Sequence, residues 1–111
     1  MKQTMNLQDI NRYTNMIVSF VNTAIAQTEG VLREYDVVKS KLGVKSMNTK
    51  NIRVYFDEDQ VVLDIYISVL YGYAVPEVVC RLQENVIAIM KASTPFEVKE
   101  VNVNVTNVIM S

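Results

Sequence analysis

A chain of 111 residues, 50% hydrophobic and 21% charged, has the size and composition of one globular domain, expected to span residues 1–111, and no second domain fits. Eleven basic against twelve acidic residues give a formal charge of −1, so there is no general positive field to hold a phosphate backbone. With no histidine, the commonest general base, the usual zinc ligand set and the usual pH switch are all missing.

Met1 to Leu7 carry one lysine and no apolar run, which does not read as a signal peptide. The uncharged stretch from Ile65 to Pro76 falls short of the ~18 residues a spanning helix needs, so membrane contact is expected only through a partner or at the surface. Cys80, the lone cysteine, has no internal disulfide partner and suits a reducing compartment. A cytoplasmic location is the expectation.

A first helix is predicted from Asn6, which can cap it, with Asp9 near the positive end of the dipole. Its buried stripe is Ile10, Tyr13, Ile17, Phe20, Val21 and Ala24, and it runs to about Glu29 with Gly30 as a left-handed cap. Pattern alone leaves open whether Lys2 to Met5 forms a strand before it. Val31 to Lys50 is the basic segment, with Arg33, Lys39, Lys41, Lys45 and Lys50 against Glu34 and Asp36. It contains either a short helix around Glu34 to Lys41 or a mobile loop.

Two strands follow, Ile52 to Phe56 and Gln60 to Tyr71, joined as a hairpin by Asp57, Glu58 and Asp59. On the second, Val61, Leu63, Ile65, Ile67 and Val69 form a wholly apolar face, as period two requires of a core surface. The opposite face carries Val62, Asp64, Tyr66, Ser68 and Leu70 and is mixed. Pro76 then fits the first turn of a second helix with a stripe of Val78, Val79, Leu82, Val86, Ile89 and Met90, ending near Ala92. In the last strand Val101, Val103 and Val105 point inward, and Val98 is out of phase with them, which predicts a bulge or a strand start in between. The expected fold class is α+β: a two-layer sandwich with a small mixed sheet of three or four strands and two helices on one face, in the order (β)αββαβ.

The chemistry-bearing residues have ordinary structural readings. Cys80 beside Val79 reads as a structural, partly buried thiol, and the acidic turn lacks the ligand-rich loop and glycine of a calcium site. No catalytic, cofactor-binding or metal-ligating residue is nominated. The candidate interaction surface is the mixed sheet face, where Tyr55, Val62, Tyr66, Leu70, Asn102 and Asn104 should meet. Either the N-terminus or residues 31–50 fold over it, or it binds a second copy or a protein partner, a role that suits tyrosine. Lys39, Lys41 and Lys45 are a secondary candidate contact for acidic headgroups or an acidic protein patch.

Four stretches in order carry a family resemblance: Thr28-Glu29-Gly30-Val31; Val62 to Ile67, reading VLDIYI; Tyr71 to Val78, reading YGYAVPEV, leading to Leu82 to Val86; and Val98 to Val105, reading VKEVNVNV. Together the chain resembles the bacterial alkaline shock protein (Asp/Gls) family over nearly its whole length, with Ala74 standing where that family usually has a polar residue able to cap the helix. The resemblance implies an abundant cytoplasmic protein tied to alkaline and cell-envelope stress, without catalytic residues or cofactors, which in some members is held near the membrane by a small integral-membrane partner. A non-enzymatic scaffold acting through self-assembly or protein partners is therefore the expected function. A KH-like nucleic-acid-binding module is the alternative, and it lacks a GxxG loop after a helix.

Overall fold

The computed structural model describes residues 7–32 and 51–110. In chain order these form α1 (Leu7–Gln27), β1 (Val31–Leu32), β2 (Ile52–Asp57), β3 (Gln60–Leu70), α2 (Val75–Ser93) and β4 (Glu97–Ile109). The fold is the expected α+β class. The undecided strand at Lys2 to Met5 and the helix considered at Glu34 to Lys41 lie outside the described residues.

β3 is the centre of the sheet. β4 runs parallel to it along its whole length, from Gln60↔Glu97 to Leu70↔Ile109. A strand has two edges, so β1 and β2 must share the other edge end to end, both antiparallel to β3. Val31 and Leu32 oppose Val69 and Ser68, and Ile52 to Asp57 oppose Ile65 to Gln60. The chain leaves this edge after Leu32 and rejoins it at Asn51, whose carbonyl accepts from the Tyr66 N–H at 2.8 Å. β1 has no signature in the sequence, because so short a strand shows no alternation and is defined only by its pairing with β3.

Strict alternation puts Val61, Leu63, Ile65, Ile67 and Val69 on one face of β3, and all five are fully buried. Both helices pack on that face. α1 contributes Ile17, Val21 and Ala24 as expected, together with Val18 and Ile25. Phe20, placed in the stripe by spacing, is only half-buried. α2 contributes Val78, Leu82, Val86 and Met90, starts with proline in its first turn, and has Ala74 before it without a side-chain cap. Edge-to-face contacts of Phe96 with Tyr13 and Phe56, at centroid distances of 5.0 and 5.3 Å, close the hairpin end of the core.

The predicted irregularity before Val101 is present: Val61 opposes Val98 but Val62 opposes Glu100, so Lys99 is the extra residue. A second shift, between Ile67 and Ser68, follows Val105. At the end of α1, Gly30 has φ +89°. A Cβ there would lie 2.8 Å from Cγ and Cδ1 of the Tyr73 ring. Gly30 thus turns the chain from helix into β1 while the ring packs against its bare backbone.

Candidate functional site: the outer face of the sheet

The side chains opposite the core alternate out from the same strands. Register places Tyr55 against Val62, and Asp64 against Arg53; on the other side Asp64 opposes Asn102 and Tyr66 opposes Asn104. Four of the six nominated residues therefore meet in two cross-strand pairs, while Asn102 faces Asp64 and Leu70 lies further along the same face of β3. Tyr55 is 48% exposed, and Val62, Tyr66 and Leu70 are half-buried.

Polar groups divide the surface. Asn102 donates from Nδ2 to the Asp64 carboxylate at 2.9 Å, and Asn104 reaches the Ile65 carbonyl at 3.5 Å. Hydrogen bonding to Tyr55 is the main cause that raises the Arg53 pKa, with Tyr66 and Asp64 adding to it, so this cation stays charged. The result is a face on which apolar and aromatic positions, Tyr55 with Val62, then Tyr66, then Leu70, alternate along β3 with the Arg53–Asp64–Asn102 ladder and Ser68. That pairing of large contact area with hydrogen-bonding capacity is typical of protein interfaces. Where β1 and β2 meet end to end, Ser68 Oγ and Asn51 Nδ2 are buried without a hydrogen-bond partner.

The remaining sequence-based expectations fare unevenly. Lys39, Lys41 and Lys45 lie outside the described residues. Cys80 is exposed rather than partly buried, its Sγ 3.6 Å from Glu84 Oε1. Adjacency to Val79 is a poor guide here: two positions turn about 200° around a helix, which carries residue 80 away from the buried Val78. Sequence reasoning also passes over an exposed apolar group at the far end of the sheet, Tyr71, Val108 and Met110, which are 68%, 52% and 76% exposed. Among the described residues no three His, Cys, Asp or Glu converge as metal ligands. No described helix is long and apolar enough to cross a membrane.

Two helices laid over one face of a small mixed sheet, with a tyrosine-bearing opposite face, define a two-layer α+β protein. Over residues 2–110 the chain matches the alkaline shock protein family, described as having a cell envelope-related function, and it belongs to that family. It is similar to the uncharacterized protein YqhY of Bacillus subtilis (strain 168), with 25% identity over 59 residues, 53% of this chain. The match spans 44% of that relative's length. No solved structure matches the chain.

Proposed function

We propose that this protein is a non-enzymatic cytoplasmic scaffold of cell-envelope or stress homeostasis, a single domain that works by binding a second copy or a protein partner through the outer sheet face. A membrane-anchored partner fits the envelope-related description of the family. The observation that supports the reading is that Tyr55, Val62, Tyr66 and Leu70 share the face opposite the core, Tyr55 beside Val62 by register and Tyr66 and Leu70 further along β3 with Asp64 and Ser68 between them. Rigid aromatic and branched side chains held on a sheet lose little entropy on contact, so their burial is favourable. Lys39, Lys41 and Lys45 serve in this reading as a second contact for acidic surfaces. The family description gives no support to the nucleic-acid alternative.

Light scattering behind size exclusion, on wild type and Tyr66→Lys, tests it. The expected result is a concentration-dependent wild-type oligomer that the substitution weakens at least tenfold, the effect of a central aromatic anchor worth about 2 kcal/mol. If the wild type is monomeric, and pull-downs from membrane and soluble fractions return the same proteins with wild type and Tyr66→Lys, the face is not the contact surface.

A further inference from the structure

β4 is bonded to β3 along one of its edges only, and among the described residues nothing pairs with the other. Which groups point there follows from the geometry. The Val101 carbonyl accepts from Gln83 Nε2 of α2 at 3.0 Å, so it faces away from β3. Strand alternation then aims the N–H and C=O of Val103 and Val105 outward as well, while Asn102 and Asn104 direct theirs to β3. An unpaired row of this kind templates strand addition unless charge, proline or a bulge blocks it. Val101 to Val105 contain no charge and no proline, and the two register shifts lie outside them.

The sequence of this stretch is a palindrome: Val101, Asn102, Val103, Asn104, Val105. We propose that β4 pairs antiparallel with β4 of a second copy about a local two-fold axis at Val103. This rests in part on the self-assembly reading above and places the contact on a different surface. In that register Val103 meets its own copy and exchanges both backbone hydrogen bonds. Val101 opposes Val105 on the helix side, and Asn102 opposes Asn104 on the outer side. Self-complementarity of this sort is what an isologous interface requires.

Two further observations favour a second copy over a foreign strand. The charged residues of β4, Glu97, Lys99 and Glu100, all precede Val101, so antiparallel pairing sets them against the uncharged end of the copy, whereas parallel pairing would stack like on like. Ile87 lies one helical turn beyond Gln83, on the flank of α2 that reaches this edge, and is 47% exposed. Antiparallel pairing brings the Ile87 and Val98 end of each protomer beside the Val108 end of the other, covering apolar side chains that are open in the single chain. Gln83 does not close the edge, because a carbonyl oxygen has two lone pairs and one remains for a partner's N–H.

The test uses amide hydrogen exchange on wild type at increasing concentration, with light scattering on two variants. Val103 and Val105 amides, which pair with no described strand of the single chain, should gain protection as dimer forms. Asn102→Lys with Asn104→Lys sets lysine against lysine across the seam and should weaken the dimer about tenfold. Asn102→Lys with Asn104→Glu sets lysine against glutamate and should restore it, both variants keeping the circular dichroism of the wild type. A dimer in which these amides exchange as in the monomer, or that responds equally to both variants, overturns the seam, as does a wild type that stays monomeric. If Tyr66→Lys dissolves the assembly and neither edge variant does, the outer-face reading stands without the seam. The reverse pattern leaves the seam without the outer-face contact.

Discussion

Replacing Gly30 with alanine should be among the most damaging single-methyl changes available to this protein. Two costs add. The backbone at φ +89° lies where an L side chain costs about 1–2 kcal/mol. The new Cβ would sit 2.8 Å from the Tyr73 ring and 3.2 Å from Val78 Cγ2, so the ring must leave. Its displacement gives up the Tyr73 hydroxyl bond to Glu29 at 3.2 Å and the packing on Gly30. For an exposed bond and a partly covered ring this adds about 1–2 kcal/mol, and the total of about 2–4 kcal/mol is a large share of a typical domain's stability. Gly72 is the control within the same chain, since its φ is +101° but an added Cβ meets nothing within 4 Å. Gly72→Ala should therefore show the backbone cost alone. Urea unfolding of both variants, and of Gly30→Ala with Tyr73→Ala, separates the terms. If Gly30→Ala is no worse than Gly72→Ala, or if removing the ring recovers none of the difference, the steric argument is wrong.

Thr28 ties the two helices: it is buried, donates to the Ala24 carbonyl at 2.8 Å and accepts from Asn85 Nδ2 at 2.8 Å. Thr28→Val strands that amide and should cost about 1–3 kcal/mol in urea unfolding, with Asn85→Ala adding little once Thr28 is gone. The bond to Glu29 raises the Tyr73 pKa above the ordinary phenol value. Its contribution to stability should be fully present below the unfolded pKa of about 10 and lost as pH rises through the higher folded value. Absorbance titration should show a tyrosine that ionises above the ordinary phenol range, disappearing in Tyr73→Phe and titrating earlier in Glu29→Gln. In the hairpin turn Glu58 has φ 57°, so Glu58→Gly should raise stability by about 1 kcal/mol in thermal unfolding.

What was legible in the fold follows from how locally each feature is encoded. The core face of β3 could be read because five alternate positions are apolar without interruption, and a slip by one would have exposed them all. The bulge at Lys99 was visible as a phase error between Val98 and Val101, and helix ends came within a few residues because Pro76, Pro95 and Gly30 punctuate the chain. β1 could not be read, since its only signal is a pairing with Ser68 and Val69 that is distant in sequence. Nor does alternation reveal the direction of β4. Its parallel course follows from α2, which carries the chain back across the sheet before β4 begins.

The outer face was legible for a related reason. Once the odd residues of β3 are assigned to the core, Val62, Tyr66 and Leu70 must lie opposite, and the hairpin adds Tyr55 by register. Asn102 and Asn104 followed from the same alternation, but their significance did not. Asparagine is a poor strand former, and from sequence it reads as a polar residue tolerated on a wet face. The structure gives each amide a bond to β3, Asn102 to Asp64 and Asn104 to the Ile65 carbonyl, and puts both on a strand whose far side pairs with no other described strand. Edge position is a property of topology. Only with β4 placed at the margin of the sheet does the repeat of valine and asparagine become a strand able to meet its own image.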